Sequence, residues 1–107
     1  MLEDVYGAAL AASAGPTAAG EVTRDVMVGA AGRRLDVRAL VARAIVRAVR
    51  TAPHAAFARM SEGEREVVAL ARLGGYTVAE IAEALGIAPA EARSRMTSGL
   101  RAVAVSC

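Results

Sequence analysis

Residues 60–103, MSEGEREVVALARLGGYTVAEIAEALGIAPAEARSRMTSGLRAV, decide how this chain is read. They divide into three short amphipathic segments with a tight turn, Leu85-Gly86-Ile87-Ala88, before the last. Ser61 with Glu64, and Thr77 with Glu80, have the three-residue spacing of a capping box, in which side chain and backbone satisfy each other's orphan groups at a helix start. The first segment is expected to bury Val67, Val68, Leu70 and Ala71 and to close at Gly74-Gly75. The second buries Val78, Ile81, Ala82 and Leu85, and Gly86 suits a turn that needs positive φ. Pro89 opens the last helix, which runs to about Val103 with Ala92, Met96, Leu100 and Val103 inward. Arg93, Arg95 and Arg101 lie on that final segment. The layout is a helix-turn-helix, whose second helix enters the major groove of duplex DNA.

Working outward, residues 2–13 place Leu2, Val5, Tyr6, Ala9 and Leu10 at helical spacing. Ala14-Gly15-Pro16 interrupts the pattern, and a second helix is expected from Thr17 to about Val28 with Val22, Val26 and Met27 inward. Residues 29–34, GAAGRR, read as a loop. Asp36 is an N-cap for a third helix reaching Arg50. Its apolar stripe is Leu40, Val41, Ala44, Ile45, Ala48 and Val49, with Arg43, Arg47 and Arg50 on the other face. Pro53 disfavours helix at the residue before it. The chain thus divides into residues 1–52 and residues 58–107, an all-α protein throughout.

Composition supports that class. Hydrophobic residues make up 55% of the 107, and nearly half of them are alanine, which favours helix but contributes little apolar area each. All 13 basic residues are arginine, a usage that points to codons rich in G and C. The net charge of +2 is unevenly laid out. Residues 1–23 carry Glu3, Asp4 and Glu21 with no cation, whereas residues 24–59 hold eight arginines against Asp25 and Asp36. A basic stretch suits phosphate, but so small a total predicts weak nonspecific DNA affinity. Cys107 is the only cysteine and His54 the only histidine, so one chain offers neither a disulfide framework nor a zinc site. The start lacks a secretory n-region and no apolar run is long enough for a membrane span, so a cytoplasmic, non-membrane protein is expected.

Residues 60–103 resemble region 4 of bacterial sigma factors, in particular the small extracytoplasmic-function group. The shared stretches are Ser61-Glu62-x-Glu64-Arg65-Glu66-Val67-Val68, then Thr77 through Ile87, then Ser94-Arg95 before Met96. Residues 5–10 and 21–27 resemble, less closely, the region 2 helix with which sigma factors dock on core RNA polymerase. Arg24 and Met27 stand where the family commonly has Gln and Phe. The resemblance places residues 38–50 where the family meets the −10 promoter element. The aromatic residues that capture flipped bases are missing there, and base capture needs a stacking surface. The linker between the regions has shrunk to a few residues. Ala88 replaces the family's Ser N-cap, and Thr97-Ser98-Gly99 replaces a more basic stretch, with Gly99 costing a helix about 1 kcal/mol relative to Ala.

These features imply a sigma-derived transcription regulator without autonomous promoter melting. Glu91, Arg93, Ser94 and Arg95 are the expected base readers, since Arg pairs bidentately with guanine and Glu accepts from cytosine N4. Ser98 and Arg101 suit phosphate contact. Arg24, Asp25, Met27, Arg43, Arg47 and Arg50 are the expected contacts to RNA polymerase or another partner, although Arg43, Arg47 and Arg50 equally fit a solvated helix face. The alternative function is a protein-interaction module that binds RNA polymerase, a sigma factor or an anti-sigma factor without reading bases. A lone helix-turn-helix rarely binds tightly enough, so a homodimer or a DNA-bound partner is expected. Glu62, Glu64 and Glu66 are explained by the dipole at a helix start. No residue set suggests catalysis, a metal or a cofactor.

Overall fold

The computed structural model describes residues 2–30 and 36–105. The order is α1 (Leu2–Ala12), α2 (Pro16–Ala30), α3 (Val37–Thr51), a 3-10 turn (Ala55–Phe57), α4 (Glu62–Gly74), α5 (Val78–Leu85) and α6 (Pro89–Val105). The protein is all-helical, and the described residues add only a single backbone bridge between Ser13 and Pro53. Most of the loop expected at 29–34, the inward placement of Val103, and Cys107 lie outside what is described. Gly29 and Ala30 continue α2 instead of leaving it, which corrects the loop's start.

α4 is the central element: α3 and α1 pack on one side of it, α5 and α6 on the other. Val67, Val68, Ala69 and Leu70 are all buried, so both sides of α4 are apolar. One cluster of buried side chains runs from Val5 on α1 through Ile45 and Val49 on α3 to Ile81 on α5 and Ala92 on α6. Each fully buried Val, Ile or Leu there contributes about 1.5–3 kcal/mol. Ala9, Ala12, Ala44 and Ala48 are also fully buried; they add little area but let α1 and α3 approach closely. The radius of gyration, 13.2 Å, equals what a single compact domain of this length gives, about 13 Å.

The junction between the halves is bonded rather than slack. His54 N–H donates to the Ala12 carbonyl and Ala14 N–H to the Ala52 carbonyl, both at 2.8 Å. His54 is more than a connector, because its Nδ1 accepts from Ala56 N–H at 3.1 Å and caps the 3-10 turn. Arg65 then donates to the carbonyls of Phe57 and Ala58, each at 3.0 Å, fixing that turn against α4.

Two expected stripes need correction. On α1 only Val5, Ala9 and Ala12 are buried, while Leu2 (57% exposed), Tyr6 (37%) and Leu10 (40%) face solvent. α3 and α2 together cover a narrow face of α1, so three of the five positions of its apolar stripe are left over. Leu100 on α6, expected inward, is 40% exposed. α6 instead meets the core through Ala92, Gly99 and, in part, Met96 and Ala102.

Candidate nucleic-acid interface

Local chemistry sets the helix-turn-helix in place. Ser61 Oγ accepts from Glu64 N–H while Glu64 accepts from Ser61 N–H, and Thr77 and Glu80 repeat the arrangement at α5. Gly75 and Gly86, both at φ 67°, end α4 and α5 in the left-handed conformation that a side chain would penalise. Gly86 N–H reaches back to carbonyls of α5, so the turn is closed by the helix it ends.

Gly99 sets how closely α6 sits on α4. A Cβ placed there would lie 2.6 Å from Cγ2 of Val68, a stiff, buried side chain. By helix propensity alone Gly99 weakens α6. Its position shows a contact that only glycine allows, so the propensity cost is offset by packing.

The expected DNA-contacting residues separate into two groups. Arg93, Ser94, Ser98 and Arg101 are exposed on the side of α6 away from Ala92 and Gly99. Arg93 and Arg101 make no ion pair among the described residues. Glu91 and Arg95 instead pair with each other at 3.0 Å, one helical turn apart. Arg95 is folded back, its guanidinium 3.3 Å from where a Cβ on Gly63 would be, and only 31% of its side chain is exposed. Gly63 is the sequence signal that could have revealed this, since a small residue in the first turn of α4 leaves room for a neighbour's side chain.

The expected partner contacts also separate. Asp25, Arg43, Arg47 and Arg50 line one open groove between α2, α3 and the end of α5, with a volume of about 660 Å³. Arg24 lies on the other side of α2, beside Leu2 and Tyr6 in a second trough. Met27 is half-buried against the core. Arg47 bonds Asp25 across the first groove at 3.0 Å. Arg50 is held by Glu66, whose hydrogen bond is the main reason the guanidinium pKa is raised, and more distantly by Glu62 at 3.9 Å. Glu66 is buried. The helix dipole therefore does not account for it; it ties α4 to α3.

A second tie, not foreseen from sequence, joins α3 to the helix-turn-helix. Arg38 donates to both oxygens of Glu80 at 3.1 Å, and its guanidinium sits 4.1 Å from the centre of the Tyr76 ring. The Tyr76 hydroxyl donates to the Arg38 carbonyl at 2.5 Å. Burial raises the Tyr76 pKa, so the hydroxyl stays a donor. Glu80 has a lowered pKa, first through the Thr77 backbone bond and then through Arg38.

No group of His, Cys, Asp and Glu that could hold a metal occurs among the described residues, and no described helix is long and apolar enough to cross a membrane. The C-terminal half is thus a helix-turn-helix domain with a polar outer face on its last helix. Residues 54–103, from the 3-10 turn into α6, match the family model described as Sigma-70, region 4, so this part is a domain similar to that DNA-binding part of transcription factors. The match does not extend to α1–α3. The chain matches no curated protein and no solved structure.

Proposed function

We propose that this protein is a cytoplasmic bacterial transcription regulator that binds duplex DNA through α6 and lacks autonomous promoter melting. The observation that carries it is the polar, cationic outer face of α6 within a stretch matched to sigma-70 region 4. Arg93 and Ser94, near the helix start, are the base readers in this proposal, and Ser98 and Arg101 bind phosphate. Glu91 and Arg95 join them when the pair opens on the base edges. Melting is absent because α3 offers no aromatic platform for an extruded base.

A gel shift at low salt tests the proposal. Wild type shifts a selected duplex; Arg93→Ala weakens binding by about 1–3 kcal/mol and relaxes preference at one position. Arg101→Ala weakens all duplexes alike and lowers the salt slope by about 1. Failure to shift any duplex selected from a random pool would overturn the DNA reading. Promoter-specific transcription with core polymerase alone would overturn the loss of melting.

One observation favours the alternative, a protein-interaction module for RNA polymerase, a sigma factor or an anti-sigma factor: Arg95 is turned toward α4 and neutralised by Glu91. In that reading Arg24, Asp25, Met27, Arg43, Arg47 and Arg50 supply the contacts, and polymerase co-purifies with a chain that shifts no DNA.

A further inference from the structure

Two surface features of α1–α3 have no partner among the described residues. The first is the outer face of α1, where Leu2, Tyr6 and Leu10 recur every fourth residue and stand 57%, 37% and 40% exposed. Glu3 lies at the acidic start of this face, and residues 1–23 contain no cation at all. The second is the groove of about 660 Å³ between α2, α3 and the end of α5. Val26, Val46 and Leu85 are its buried and half-buried lining, and the exposed Arg43, Arg47 and Arg50, with Asp25, form its rim. Arg47 is already bonded to Asp25 and Arg50 to Glu66, whereas Arg43 makes no ion pair among the described residues.

The two features complement each other in length, polarity and charge. The α3 wall of the groove runs from Ala39 to Arg50, about 17 Å at the helical rise of about 1.5 Å per residue. α1 is an 11-residue helix and has nearly that length. An apolar lining with a mainly cationic rim suits an amphipathic helix carrying an acidic end. Phosphate chains would meet the rim but gain nothing from the lining. Within one subunit α1 cannot occupy the groove, because Val5, Ala9 and Ala12 are already committed to the core.

We infer that the protein forms a symmetric homodimer in which the outer face of α1 of each copy lies in the arginine-rimmed groove of the other, with Glu3 meeting Arg43. Reciprocal insertion of the same two surfaces is the arrangement a two-fold dimer makes, and it buries both leftover surfaces at once. The third wall of the groove is Ala84 and Leu85, directly before the Gly86 turn into α6. Dimerisation therefore seats each α1 against the helix that carries the DNA-reading helix, and supplies the second half-site contact that a single helix-turn-helix lacks. The use of the dimer rests on the DNA reading; its existence does not.

Sedimentation equilibrium on the full chain tests this. Wild type is expected to be dimeric at micromolar concentration. Leu10→Glu, which touches only the exposed face, raises the dimer Kd about a hundredfold or more. Glu3→Arg and Arg43→Glu each raise it about tenfold, and the two together restore it, because each interface then regains the pair with its signs exchanged. Circular dichroism confirms that these surface variants stay folded. A wild-type chain that is monomeric at about 100 μM, weaker than a specific interface of standard size, would overturn the inference. So would a dimer indifferent to Leu10→Glu, or charge swaps that fail to rescue each other. A dimer that shifts no DNA would leave this interface standing and remove only the DNA reading.

Discussion

In α4–α6 every helix start, and the ends of α4 and α5, are marked by residues within a turn, whereas in α1–α3 only Pro16, Asp36 and Pro53 do this among the described residues. Ser61, Gly75, Thr77, Gly86 and Pro89 punctuate the C-terminal half so closely that its geometry follows from local chemistry. α1–α3 are placed by burial and by three pairs that are distant in sequence: Arg47 with Asp25, Arg50 with Glu66, and Arg38 with Glu80. Two of these three cross from α3 into the C-terminal half. The halves thus differ in how position is encoded, and the same substitution should act differently in each.

Glycine to alanine is the sharpest form of that comparison, and Gly99 carries the largest expected effect. Alanine gains about 1 kcal/mol of helix propensity, but its Cβ would meet Val68 at 2.6 Å, and overpacking costs about 1–3 kcal/mol or more. Gly99→Ala should lower stability to urea by about 1–2 kcal/mol net. Gly20, inside α2, has nothing within 4 Å of a Cβ. Gly20→Ala should therefore raise stability, by about 0.5–1 kcal/mol. If both move in the same direction, the close seating of α6 on α4 is wrong.

Between these in size lies the bond joining the halves. Arg50→Ala leaves the buried Glu66 carboxylate without its partner, and an unsatisfied buried acceptor costs about 1–3 kcal/mol. Because the Arg50 side chain is 53% exposed and water can enter, the lower part of that range is expected, about 1 kcal/mol. A double-mutant cycle of Arg50→Ala with Glu66→Gln reads the coupling directly. Coupling indistinguishable from zero would mean that burial alone joins the halves.

The same contrast explains what the sequence could disclose. Both capping boxes, the Gly86 turn, the Asp36 cap and the α3 stripe are periodic or short-range signals, and each was legible. The roles of Glu66, Arg38, Tyr76 and Gly63 were not, because each depends on a residue far along the chain or on another helix. Gly99 belongs with them, since its helix propensity is a local quantity and its contact with Val68 is not. Of the expected DNA-contacting residues, the outer face of α6 was legible from spacing. Arg95 was not, since its rotation toward Gly63 is decided by α4.

The smallest expected effect separates local from distant encoding at a single residue. Glu80 accepts from Thr77 N–H in its capping box and also binds Arg38, and both lower its pKa, the backbone bond most. A carboxylate whose folded pKa is depressed stabilises the fold above the ordinary carboxylate range, and that contribution is lost as pH falls through the lowered value. Glu80→Gln should flatten the acid limb of a stability-against-pH profile. Arg38→Ala should leave most of that limb intact, because the capping box remains when the distant partner is gone. Should Arg38→Ala flatten it as fully as Glu80→Gln, the start of α5 is held by α3 rather than by its own cap, and even this local signal depends on the N-terminal half.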